Sequence, residues 1–226
     1  MHTFYTSTTY LVEGLDGEPE LRAIEAPEDM QVGTHRDLVI FEPRSDWDIE
    51  DTTYPAGSLV VGTLEHYLDG ERDLDVLFAP TPSTSLQDLT ITKNYLVLTI
   101  LDDVQHRLEV HYRGADGTWV KEDLLPDLEG ALGVAAVDSD ESDELWVTVT
   151  DFATPTTLCM VDIAAVSSGD GPGELVEIKR TPHRFDADGV QVTQHFATSD
   201  DGTSIPYFQI AKADSGETEP RPTLLY

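Results

Sequence analysis

A serine flanked at two places on either side by small residues, with an acid and then a histidine downstream, is the arrangement that acyl-transfer chemistry needs. The chain offers one such set: Ser167 within Ala165 to Gly169 ("AVSSG"), Asp186 or Asp188, and His195. A nucleophile of this kind sits on a tight turn that opens directly into a helix, because the helix N-terminus and the neighbouring backbone N–H groups stabilise the oxyanion. Here the turn is followed by "DGPGE", Asp170 to Glu174, and two glycines and a proline do not start a helix. His195 lies in an alternating strand pattern, so the segment around Ser167 reads as a flexible loop between strands.

Other residues with chemical potential read the same way. The run "DSDESDE", Asp138 to Glu144, is rich in oxygen ligands for a hard cation, but a calcium loop starting at Asp138 would need glycine where Asp143 stands and glutamate where Val149 stands. It is expected to be a solvated hairpin turn. His106 and His111 are five positions apart in "HRLEVH", which places their rings on opposite faces of a strand and prevents a shared metal. Trp47, Trp119 and Trp146 fall among apolar strand residues and are expected to pack between sheets. The glycines of "GDGPGE" have no lysine and no helix after them, so they make no phosphate loop. The expectation is that this chain carries no catalytic, cofactor-binding or metal-ligating residue.

The elements that would have to position any site are strands. The chain has 226 residues, 39% of them hydrophobic, enough for a substantial core. Its 44 acidic and 13 basic residues give a net charge of -31, which argues against nucleic-acid or anionic-membrane partners, since both need a Lys/Arg footprint. Cys159 is the single cysteine and sits in the alternation "TTLCMVDI", as a small buried hydrophobe would. The start, "MHTFYTSTTYLVEG", has neither a basic region nor an apolar stretch, and no apolar run approaches the ~20 residues of a membrane span. The compartment expected from these features is the cytoplasm.

Period-2 alternation between turn signals recurs along the chain and helical periodicity is nearly absent, which predicts an all-β fold. Three segments superimpose: "RDLVIFEP" (36–43), "NYLVLTIL" (94–101) and "ELWVTVTD" (144–151). Each precedes a second apolar strand, "GSLVVGTL" (57–64), "HRLEVHYR" (106–113) or "TTLCMVDI" (156–163), and then a more polar one, "DLDVLFAP" (73–80), "TWVKEDLL" (118–125) or "GELVEIKR" (173–180). A repeat of about 50 to 58 residues with an apolar interior and a polar last strand has the habit of β-propeller blades. The blades are placed at about 1–80, 81–130 and 131–184, with the strands near Tyr5 to Leu11 as the remnant of an earlier one. About three blades and a remnant fall short of the roughly four to eight of a closed ring, so an open partial propeller is expected. Its uncovered end faces would pair two copies into a homodimer. After residue 184 the pattern changes to one long hairpin turning at Asp200, Asp201 and Gly202.

From "FDADGVQVTQHFATSDDGTSIPYFQIAKAD" to "RPTLLY" the chain resembles the start of the α/β-hydrolase domain in the prolyl oligopeptidase family of serine peptidases. Ser199–Pro206 match that family's S-x-D-G-T-x-I/V-P turn, and Pro222–Tyr226 its P-T-L-L-Y strand. "TTYPAGSLVV" (52–61), "APTPSTSLQDLTITKNYLVLTILDDVQHRLEV" (79–110) and "TVTDFATPTTLCMVD" (148–162) are similar to the last blades of the family's propeller. The resemblance implies a partial propeller over 1–184 and the start of a truncated hydrolase domain over 185–226. It implies a parent enzyme that hydrolyses short proline-containing peptides, with the propeller gating the active site. It also implies that the oxyanion tyrosine, the nucleophilic serine, the aspartate and the histidine all come after Tyr226, leaving this chain inactive. The other reading of the same residues is a free-standing binding or assembly scaffold.

Overall fold

The computed structural model describes residues 6–14, 18–212 and 222–225. The strands in chain order are β1 (Thr9–Glu13), β2 (Glu20–Ile24), β3 (Gln31–His35), β4 (Leu38–Glu42), β5 (Trp47–Ile49), β6 (Thr52–Tyr54), β7 (Leu59–Thr63) and β8 (Leu74–Phe78). They continue as β9 (Thr84–Ile91), β10 (Leu96–Asp102), β11 (Gln105–Arg113), β12 (Trp119–Leu124), β13 (Ala131–Ala136), β14 (Glu144–Thr150), β15 (Thr157–Asp162) and β16 (Val176–Arg180). The last two are β17 (Val190–Thr198) and β18 (Ser204–Lys212). One short α-helix, α1 (Leu64–Leu68), is present among the described residues, and no helix there is long and apolar enough to cross a membrane.

Three four-stranded antiparallel sheets dominate, in the orders β3-β4-β7-β8, β9-β10-β11-β12 and β13-β14-β15-β16. The hairpins β1-β2, β5-β6 and β17-β18 stand outside them. This is an all-β, open stack of propeller-type sheets. The sequence repeat captured the second to fourth strand of each sheet and missed the first. β3 and β9 (QVGTH and TSLQDLTI) carry mostly half-buried or exposed residues, and β13 (ALGVAA) sets its buried Leu132 and Val134 among alanine and glycine, so none shows a strong contrast between apolar and polar positions. α1 was also missed, because five residues are too few to show a 3.6-residue period.

The central strands of the first two sheets are buried on both faces, whereas β14 and β15 of the third bury one face. In β4, Leu38, Val39, Ile40 and Phe41 are all buried. Val39 and Phe41 pack with Ile24, Trp47, Tyr54, Val60 and Tyr67, whereas Leu38 and Ile40 pack with Leu96, Leu98 and Ile100 of the second sheet. The second sheet divides in the same way, with Val97, Leu108 and Val110 turned to Leu145, Val147, Cys159 and Val161 of the third. Two stacking interfaces therefore join three sheets, and a further cluster covers the first sheet from the β1-β2 side.

Of the three tryptophans, Trp47 is buried, 5.1 Å from Phe41 and 5.3 Å from Tyr54 between ring centroids. Trp119 packs against the cluster between the first and second sheets, with the Arg113 guanidinium 5.3 Å from its ring. Trp146 departs from expectation. It pairs in register with Ala135 and Met160 on the third sheet's far face, outside the buried clusters, beside exposed Val176 and Ile178.

The expected terminal strand is also corrected: Pro222–Leu225 form no strand, and Leu224 and Leu225 are 89% and 96% exposed. Without a neighbouring strand, a β-forming sequence has no ladder to join. Tyr226 and Tyr5 lie outside the described residues.

Phe41 fills the first cluster, with Trp47 and with Tyr67 at 4.8 Å, so Phe41→Ala is expected to cost about 3–5 kcal/mol. Val76→Ala, at a residue 47% exposed, is expected to stay within about 0.5 kcal/mol. Urea denaturation of the two variants checks the contrast, and equal losses would show that the first sheet does not depend on this cover.

Candidate functional site

Asp143, next to last in the acidic run, is buried, unlike the solvated turn expected there. Its Oδ1 accepts the Thr92 hydroxyl at 2.8 Å and the Asn94 N–H at 2.8 Å, and its Oδ2 accepts the Asn94 side-chain amide at 2.6 Å. The Lys93 N–H donates to the Ser142 carbonyl at 3.1 Å beside it. One carboxylate thus ties the β13-β14 turn to the β9-β10 turn. The rest of the run is a turn in which Asp138 Oδ1 accepts the N–H groups of Asp140 and Glu141 at 2.9 and 3.0 Å.

A second buried carboxylate escaped the sequence reading. Glu109 shares a face of β11 with His111, in register with Leu98 and Leu96, and that face turns toward the first sheet. Glu109 is 2% exposed. His111 Nε2 lies 3.1 Å from its Oε2, Lys121 Nζ lies 3.3 Å from its Oε1, and Arg107 donates to Oε1. Burial opposes ionisation, but the hydrogen bonds from His111 and Arg107 and the charges of Arg107 and Lys121 outweigh it and hold the carboxyl down to about 2. The legible signal was a Glu and a His two places apart in an apolar strand, which puts them side by side.

The arrangement able to hold a ligand lies where the β17-β18 hairpin meets the ends of the second and third sheets. The hairpin forms as its turn predicts: Ser199 N–H donates to the Thr203 carbonyl at 2.9 Å, and Asp201 accepts the Thr203 N–H at 3.0 Å and the Ser199 hydroxyl. Those bonds hold the Asp201 carboxyl down to about 2. The hairpin docks through the Gln194 side-chain amide, which donates to the Asp103 carbonyl at 2.8 Å, and through Phe208, whose ring lies 5.3 Å from Phe152.

Between the hairpin and the sheets is a cleft of about 370 Å³. Three connections floor it: Val104 and Gln105 from the β10-β11 turn, Glu129 and Gly130 before β13, and Asp151 and Phe152 after β14. Val192, Gln194 and Phe208 roof it, and His106 lines it too. Gly130 has φ +115°, and a Cβ there would meet the Thr150 carbonyl oxygen at 2.7 Å, so only glycine lets the two connections approach. Asp151 Oδ1 accepts the N–H groups of Ala153 and Thr154 at 2.6 and 2.5 Å, which folds the loop so that Phe152 reaches Phe208.

The candidate hydrolytic residues do not assemble. Ser167 sits in a single 3-10 turn, and its Oγ is 2.9 Å from the Tyr95 hydroxyl. Asp186 accepts the Asp188 N–H in an exposed loop, and His195 stacks on Tyr207 within the hairpin. His106 and His111 are separated as their spacing requires, His106 Nδ1 lying 2.8 Å from the Leu132 nitrogen and 3.0 Å from its carbonyl oxygen on the face opposite Glu109. Cys159 is buried between the second and third sheets, and burial pushes its thiol up. No group of three or more potential metal ligands occurs among the described residues.

The family model described as "Prolyl oligopeptidase, N-terminal beta-propeller domain" matches residues 52–168, slightly more than half of the chain. The chain belongs to the prolyl oligopeptidase family. An uncharacterized peptidase of Sinorhizobium fredii is 33% identical over 217 residues, covering 93% of this chain and 29% of that protein. One from Rickettsia prowazekii is 28% identical over 228 residues, covering 98% and 30%. Among solved structures, a post-proline cleaving enzyme from Rickettsia typhi has a TM-score of 0.70 at 25% identity, over 92% of this chain and 30% of that one. Oligopeptidase B from Trypanosoma brucei, at 17% identity and a TM-score of 0.63, shares the fold. The chain spans about 30% of the length of these relatives.

Because its partners hold the Glu109 carboxyl down to about 2 in the fold, from an ordinary value of 4.5, they add stability above pH 4.5, and that contribution drains away as pH falls toward 2. Glu109→Gln is expected to be less stable than the parent by about 3 kcal/mol at pH 7, with the gap closing between pH 4.5 and 2. Urea midpoints across that range measure it, and a gap of constant size would sink the assignment.

Proposed function

We propose that this chain forms the part of a prolyl oligopeptidase-type serine peptidase that caps its active site and admits short proline-containing peptides. Residues 1–184 serve as propeller and residues 185–226 begin the α/β-hydrolase domain. The observation that carries this reading is the seating of the β17-β18 hairpin, with its Ser199–Pro206 turn, on one end of the second and third sheets through Gln194 and Phe208. A hairpin fixed there joins a following domain to the propeller at a set angle and leaves a cleft at the junction. The likeness to a post-proline cleaving enzyme at 25% identity supports the choice of peptide class.

The chain alone performs no hydrolysis in this reading, because Ser167 is bonded to Tyr95 while Asp186 and His195 are engaged with Asp188 and Tyr207. The purified chain is therefore expected to release nothing from a prolyl chromogenic substrate above the buffer rate, whereas the full-length gene product turns it over. Hydrolysis by the chain that disappears in Ser167→Ala, or a full-length product inert toward prolyl substrates, overturns the assignment.

A further inference from the structure

The cleft beneath the hairpin has a chemistry of its own. Its walls are aromatic and aliphatic: Phe152, Phe208, Val104 and Val192. Among the described residues its charged side chains are Glu129 and Asp151, and no lysine or arginine lines it. One Asp151 oxygen is engaged by backbone N–H groups, leaving the other oxygen and both of Glu129 for a ligand. His106 Nδ1 lies 2.8 Å from the Leu132 nitrogen and 3.0 Å from its carbonyl oxygen, and in the tautomer whose Nδ1 accepts the Leu132 N–H the ring proton is on Nε2, free to act as a donor. With a net charge of -31 on the chain, the site repels anions and attracts cations.

The backbone is strained where it borders this cleft. Asp103 and Val104 join β10 to β11 as a two-residue turn with φ of 43° and 69°. Such a turn ordinarily takes asparagine and glycine, and a β-branched residue is sterically strained there. The valine side chain it retains is one of the cleft's walls, 51% exposed. Strain kept for an exposed apolar side chain points to something that the side chain contacts.

We propose that this cleft binds the free N-terminus of a peptide whose first residue is apolar. The α-ammonium sits between Glu129 and Asp151, the first side chain lies among Val104, Phe152, Val192 and Phe208, and the first carbonyl accepts from His106 Nε2. A cleft of about 370 Å³ accommodates one to two residues. The carboxylates select the ammonium, and the donor on His106 selects a peptide over a simple amine. The inference adds a ligand to the junction named above, but it rests on the lining residues and is scored by binding alone, so it stands or falls apart from the peptidase reading.

The probe is L-phenylalanyl-L-alaninamide, titrated into the 226-residue chain and followed by amide chemical shifts, with the N-acetylated peptide and phenethylamine as controls. Saturable binding in about the millimolar range is expected, with shifts at Val104, Gly130 and Phe208. Acetylation and Glu129→Gln should each weaken it about fivefold, and phenethylamine should bind about threefold more weakly. Val104→Gly should weaken binding about threefold while raising Tm, since it removes a wall and relieves the left-handed strain. No saturation by about 10 mM, equal affinity for the acetylated peptide or for phenethylamine, or shifts confined to other parts of the chain would each overturn the proposal. A Glu129→Gln or Val104→Gly variant that keeps its melting transition yet binds as the parent does would overturn it as well.

Discussion

The first and second sheets are apolar on both faces, and that constraint governs the rest of the molecule. Four consecutive buried residues in β4, Leu38 to Phe41, send two side chains toward the β1-β2 side and two toward the second sheet. A strand of that kind is stable only with a neighbour on either side, so no sheet is a folding unit alone. The chain meets the demand by stacking, with about ten ångströms between sheets filled by interlocking aliphatic side chains. The far face of the third sheet, carrying Trp146, Met160, Val176 and Ile178, is where the stacking of described sheets stops.

Apolar stacking by itself is non-directional, and polar groups set the alignment of the sheets. Asp143 reaches from the third sheet to Thr92 and Asn94 of the second, Thr90 donates to the Val134 carbonyl at 3.1 Å, and His106 receives the Leu132 N–H. These bonds form only when turns and edges are correctly opposed, and a buried carboxylate left without them would be strongly unfavourable. Glu109 follows the same logic inside the second sheet, where Arg107, His111 and Lys121 compensate its burial. Both carboxylates lie where hydrophobic burial alone would tolerate slippage.

The cleft follows from this alignment. Its floor is drawn from the ends of two sheets, and its roof from a hairpin held by one hydrogen bond and one aromatic pair. Residues far apart in the chain, from Val104 to Phe208, converge because stacking brings three inter-strand connections to the same end. The left-handed turn at Asp103 and Val104 is sustained by the β10-β11 ladder on which it is built. Local preference is overruled there by tertiary structure.

Sequence by itself determined the strand class, the three repeats with their inner and outer order, and the β17-β18 hairpin with its turn. All of these rest on local chemistry: period-2 alternation, turn residues and the residue types of the Ser199–Pro206 motif. It determined equally that His106 and His111 face apart, because parity along a strand admits no alternative. The first strand of each sheet escaped: β3 has a single half-buried aliphatic residue, Val32, and β13 (ALGVAA) buries Leu132 and Val134 between small residues that make the alternation faint. Only tertiary structure decided that Asp143 and Glu109 would be buried, that Trp146 would face outward, and that a cleft would open under the hairpin. The reason is that burial, charge compensation and concavity are properties of opposed surfaces, and a linear pattern does not specify which surfaces will be opposed.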